Sequence, residues 1–125
     1  GSLPRLGELI AARGERLREV ALRSVYVGDE HGWFGTPTGR TEFERWTTLL
    51  ATAVTDGAYE RLADGTHALL RAARMGGVPL GERIAVIDGT YAATRAALPP
   101  GLSREELADV GRLGRLMRWN ATRDG

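Results

Sequence analysis

Asp29, Glu30 and His31 stand side by side in the stretch DEHGW, and all three are residue types that ligate metals. A metal site needs three or four converging donors, whereas adjacent residues rarely present side chains to one ion and no second histidine lies near in sequence. The stretch therefore reads as a polar loop. Trp33-Phe34, just beyond it, reads as an aromatic step that either meets a partner or folds back over a core. His67, the other histidine, falls three residues before Leu70 and so near the inner face of a helix, a place that suits a core-boundary residue better than a lone ligand. Nucleophilic chemistry has little to work with: the chain has no cysteine, and beyond Ser2 only Ser24 and Ser103 carry a serine hydroxyl, neither spaced with a histidine and an acid. Carboxylates are plentiful, yet no pair is set apart for acid–base work. Glycine-rich phosphate loops, which follow a strand, are absent; Gly76-Gly77 follows a helical stretch instead. The chain reads as a non-enzyme with no metal or other cofactor.

Composition narrows the partners. All 17 basic residues are arginines and 16 acids nearly cancel them, for a formal charge of +1, so the clustered basic face of a nucleic-acid binder is missing. Arginine pairs carboxylates in a bidentate way that lysine cannot, so ion pairs between helices are expected. Acid and base alternate, as in RGERLRE (residues 13–19), a pattern of solvated helix faces. No apolar run reaches the roughly 18 residues of a membrane span and no leader pattern opens the chain; the expected location is cytoplasmic, with neither membrane nor nucleic acid as partner. Gly1-Ser2 reads as an expression scar, leaving residues 3–125 as one domain long enough to bury a core; the abrupt ends suggest excision from a longer protein.

The elements follow from periodicity. Leu6, Leu9, Ile10, Leu17, Val20 and Ala21 recur at helical steps, predicting a helix from about Pro4 to Val27 with Gly14 against a close neighbour. VGDEHGWFGTPTGR reads as a loop. Thr41 and Glu44 have capping-box spacing, so a helix with Phe43, Trp46, Leu49, Leu50, Ala53 and Val54 on its apolar side is expected to start there. Asp56-Gly57 marks either a bend or the start of another helix, and Tyr59, Leu62, Ala63, Leu69, Leu70 and Ala73 continue the spacing to Arg74. Gly76-Gly77 releases that helix and Pro79 suits the first position of the next, whose stripe is Ile84, Ile87, Tyr91 and Leu98. After LPPGLS, Ser103 and Glu106 form a second capping box and Leu107, Val110, Leu113, Leu116 and Met117 the last stripe. LSREELADVGRLGR has an opening like that of helix-turn-helix readers, but no recognition helix follows it. Strand alternation is absent, and the expectation is an all-α fold of about five helices, a bundle or globin-like stack.

The stretch AARMGGVPLGERIAVIDGTY, Ala72 to Tyr91, resembles the middle of the globin-like sensor domains at the N-termini of bacterial signalling proteins. In haem-binding members a proximal histidine is closely followed by an Arg-aliphatic-Gly step, a turn, and a helix carrying an aromatic residue. Arg74, Met75, Gly76, Val78, Pro79 and Tyr91 match that pattern. Gly77 is an extra residue, so two registers arise, and they place the histidine on Ala72 or Ala73. His67, five or six residues earlier, would be rotated by about 140° or 120° from either place. The closing LPPGLSREELADVGRLGRLMRW resembles the last segment of the non-haem relatives, the globin-like N-terminal domains of stressosome co-antagonists and of some kinases and transcription regulators. The resemblance implies a haem-free sensory or regulatory domain, a homodimer through its helices, coupled to an output domain beyond Gly125. A helical dimerisation or scaffold module with no small ligand is the alternative. Trp46, His67 and Tyr91 are the residues placed near any internal ligand pocket, against their simpler reading as core aromatics and a boundary histidine.

Overall fold

Prolines in first turns, side-chain caps and left-handed glycines delimit five helices in the computed structural model, which describes residues 3–28 and 30–123. They are α1 (Pro4–Arg23), α2 (Pro37–Asp56), α3 (Tyr59–Met75), α4 (Leu80–Ala96) and α5 (Arg104–Arg123), with a short 3-10 turn at Gly32–Gly35 before α2. Among the described residues there is no strand, and the fold is all-α. Gly1-Ser2, the residues read as a scar, lie outside the described residues, as does Asp29 of the DEHGW stretch.

Local chemistry sets the boundaries. α1 stops at Arg23 rather than Val27, where the Ser24 hydroxyl donates to the Ala21 carbonyl at 2.6 Å. α2 starts at Pro37, four residues before the expected Thr41: the Thr36 hydroxyl accepts from the Gly39 N–H at 3.1 Å, and Pro37 opens the helix where its missing N–H costs nothing. α3 ends in a Schellman motif. The N–H of Val78 bonds the Ala73 carbonyl at 3.0 Å and that of Gly77 the Arg74 carbonyl at 3.0 Å, with Gly77 at φ 89°. Pro79 caps α4 from one position outside, and the reciprocal Ser103–Glu106 box opens α5 with both bonds at 3.1 Å.

α1 packs chiefly on α2 and α4, α2 also on α3, and α5 on α4 and α3. The expected α2 and α3 faces are inside, but α4 is turned. Its buried positions are Arg83, Val86, Ile87, Thr90, Ala93 and Thr94, while Ile84 and Tyr91 are half-buried. Thr90 and Thr94 donate back to the carbonyls of Val86 and Thr90, both at 2.8 Å, so their hydroxyls are satisfied without water; counting apolar residues alone picks the wrong face. On α5 the inner line is Val110, Leu113, Met117 and Ala121, leaving Leu107 51% exposed. Val20 is likewise outside its expected stripe, and Leu22 takes its place in the core. The glycine that lets two helices close up is Gly7 rather than Gly14: a Cβ there would overlap Thr55 and come within 2.8 Å of the Ala51 carbonyl, whereas at Gly14 it would sit an ordinary 3.6 Å from Thr47.

Tyr26, just after α1, donates its hydroxyl to Glu82 of α4 at 2.9 Å. Burial first, then the bond to that carboxylate and its negative charge, pushes the phenol up to about 12 from 10.0. A raised folded-state value means that stability supplied by the neutral phenol is whole below pH 10.0 and is lost as pH climbs through about 12. With no lysine or cysteine in the chain, tyrosines dominate this alkaline range. Tyr26→Phe is expected to flatten the fall in urea midpoint between pH 10 and 12, and the tyrosinate absorbance titration should lose its latest step. An unchanged pH profile in the variant would refute the assignment.

Candidate functional site

Of the three residues singled out for an internal pocket, Trp46 is 2% exposed and donates its indole N–H to the Thr66 hydroxyl of α3 at 3.0 Å. Tyr91 is half-buried on α4; its hydroxyl donates to the Val110 carbonyl of α5 at 3.3 Å and its ring lies against Gly114. His67 is half-buried on α3, one residue past Thr66 and so about 100° around the helix from it. None of the three lines the grooves described below. Ala73 is fully buried at the end of α3 and Ala72 is half-buried; neither methyl offers a donor atom. Among the described residues, no three His, Asp or Glu side chains cluster as a metal site would need.

The corner between α3 and α4 is braced from two sides. Arg83, 6% exposed, donates to the Val78 carbonyl at 2.5 Å, and the Trp33 ring lies directly over Gly76. The Trp33-Phe34 step thus folds back on the protein: Phe34 is fully buried, edge-on to Phe43 at 6.1 Å, and Trp33 is packed against the core. Arg18 departs furthest from expectation. The RGERLRE stretch reads as a solvated face, yet Arg18 is 4% exposed and donates to the Phe34 carbonyl at 2.9 Å. Periodicity could have shown it, since residue 18 lies one step from Leu17 and four from Leu22, both core.

A further groove lies outside, between the start of α3 and the second half of α5. About 730 Å³ in volume, it is floored by Tyr59, Leu113, Leu116 and Trp119 and flanked by Arg112 and Arg115. Trp119 is 53% exposed, and the Arg123 guanidinium lies 4.3 Å from its ring centroid, a cation–π contact. Burial raises the Tyr59 phenol above its ordinary value, against the opposing charge of Arg112. Glu105, Arg112, Leu116, Trp119 and Arg123 all fall in a stripe about 60° wide at 3.6 residues per turn, beside the line that enters the core. Beside its core line α5 therefore carries a second, smaller apolar patch, Leu116 and Trp119, set among three charged residues. Trp119 signals the second in the sequence, because it lies off the Val110-Leu113-Met117 line. An apolar floor with a cationic rim can hold a helix that brings apolar anchors and carboxylates.

No helix among the described residues is long and apolar enough to cross a membrane. Comparison with protein-family models, with curated proteins and with solved structures gives no match for this chain.

Proposed function

We propose that this chain is a haem-free regulatory input domain that dimerises through the outer face of α5 and passes a change in helix arrangement to an output domain. The resemblance of the Ala72–Tyr91 corner and of the closing segment to globin-like bacterial sensor domains supports a cytoplasmic, bacterial setting for this reading. The observation that carries the proposal is the second apolar patch of α5, with Leu116 half-buried and Trp119 half-exposed beside Tyr59.

Charge order along α5 selects a second copy as the occupant. After Arg104, Glu105, Glu106 and Asp109 occupy its first turns, and Arg112, Arg115, Arg118 and Arg123 the remainder. Two such helices packed antiparallel about a two-fold axis at the level of Gly114 set Glu105 of each copy beside Arg123 of the other and Leu116 of each beside Arg112 of the other, with Trp119 of each copy on either side of the axis. A closed isologous contact of this kind is the commonest route to a dimer. A ligand or partner that prefers one arrangement of the α5 pair shifts the population by its differential affinity, no more.

Sedimentation equilibrium at micromolar concentration is expected to give a dimer. Trp119→Glu, which places a carboxylate on the apolar floor, is expected to weaken the dimer at least about 30-fold, the scale of an interface hot spot, with helical circular dichroism unchanged. A wild-type chain that stays monomeric at about 100 µM, a weak association of roughly 5 kcal/mol, would reject the reading. The scaffold alternative, the same dimer without any small ligand, parts from the sensory reading on ligand-dependent stability.

A further inference from the structure

A guanidinium cannot shed its charge inside a protein, so burying one demands compensation from every side. Arg18 is 4% exposed and its compensation is incomplete. One terminal nitrogen donates to the Phe34 carbonyl at 2.9 Å. The other reaches the Glu15 carboxylate only at 3.4 Å, well beyond the 2.7–2.9 Å of a good charge-assisted bond. Its Nε is buried with no partner. The same Glu15 carboxylate, on a side chain 70% exposed, is shared with Arg40 at 3.5 Å, again long.

Space adjoins this cluster on both sides. Arg18 lines a groove of about 380 Å³ between α1 and α2, together with Ile10, Glu15, Phe43, Thr47 and Thr48. It also lines a second groove of about 460 Å³ under the loop, with His31, Thr36, Arg40 and the carboxylates of Glu19 and Glu30, while Glu44 stands at the first groove. α1 is kinked beside the first groove, where Arg13 leaves helical geometry at φ −122° and ψ 21°. Two cationic side chains, one of them buried, therefore converge on the exposed Glu15 carboxylate, which fits neither well, beside the hydroxyls of Thr36 and Thr47.

We propose that Arg18 and Arg40 form a binding site for the oxyanion end of a small organic acid, and that Glu15 holds that place in the unliganded protein. The shared chemistry is a carboxylate or phosphate with at least two acceptor oxygens, able to meet the fork of Arg18 and the side of Arg40 together. The site does not depend on the α5 interface, and either can fail alone.

The test uses two probes, inorganic phosphate and succinate, titrated into the whole chain in low-salt buffer, with thermal unfolding and calorimetric binding as readouts. At least one probe is expected to bind saturably with a dissociation constant of about 1 mM or tighter and to raise the unfolding midpoint accordingly; which probe binds separates the phosphate from the carboxylate source. Glu15→Gln removes the internal competitor, an exposed pair, so affinity should tighten by about threefold. Arg40→Gln removes an exposed cation without touching the core and should weaken binding at least about fivefold. A purely structural Arg18 predicts a less stable Glu15→Gln protein with no saturable response to either probe, and that result would overturn the proposal. So would an Arg40→Gln protein that binds as the wild type does. General stabilisation by phosphate at high concentration, an excluded-solute effect, is not saturable and would count against the site.

Discussion

Trp46→Ala is expected to lower the free energy of unfolding by about 3–5 kcal/mol, the range for deleting a buried indole. The ring is 2% exposed and stands edge-on to Phe43 at 5.4 Å and 80°; Phe43 in turn meets Phe34. This row of three aromatics runs from α2 to the turn before it, so deletion opens a cavity and also loosens the anchor of that turn. The hydrogen bond contributes less. Thr66, which accepts from the indole, donates its own proton to the Leu62 carbonyl at 2.7 Å, so removing the indole strands no donor. Trp46→Phe should accordingly cost about 1–3 kcal/mol, one neutral hydrogen bond plus the lost ring volume. Urea unfolding with an unchanged m-value would measure both. Near-wild-type stability in Trp46→Ala would instead mark the ring as a pocket wall, since a wall can be trimmed at small cost.

Where contacts are local, the fold is legible in the chain. Ser103 and Glu106 close their box because both partners lie within one turn, and α3 ends before Gly77 because the N–H groups of Gly77 and Val78 reach back only to the Arg74 and Ala73 carbonyls. Where two local signals compete, a distant contact decides. Thr36-Pro37 and Thr41-Glu44 are both acceptable starts for α2, and the earlier one is realised where Gly39 fits beneath the Trp33 carbonyl with no room for a side chain. Trp33 against Gly76 and Tyr26 against Glu82 join residues far apart in sequence, and periodicity carries no trace of either. Burial of charge is only half legible: spacing puts residue 18 beside the core line, but does not show the acceptor that its guanidinium meets. Arg18 and Arg83 look like solvated helix residues until the carbonyls of Phe34 and Val78 are seen to meet them. The candidate sites inherit this limit: Trp119 is visible as an apolar residue off the core line, whereas the Arg18–Glu15–Arg40 cluster exists only once α1 and α2 are packed together.

Asn120→Leu is expected to act in the opposite direction and raise stability by about 1–3 kcal/mol, the cost of burying polar atoms without partners. The Asn120 side chain is fully buried on α5, and neither its nitrogen nor its oxygen has a hydrogen-bond partner. Leucine has the same branching at Cγ, so the exchange removes the polar atoms with little change of shape. A rise in urea midpoint would verify the burden, and a fall would show that the amide is satisfied in solution, as a bound water could do. The consequence for function follows from where the residue sits. Asn120 is one helical turn beyond Leu116, on the helix whose outer face carries the proposed dimer contact. An unsatisfied amide raises the energy of the docked helix and so lowers the cost of moving it, which suits the two arrangements that the proposed function requires of α5. In hydrogen exchange, Asn120→Leu should then slow the α5 amides more than those of α2, whereas uniform slowing through the whole chain would assign the amide to global stability alone.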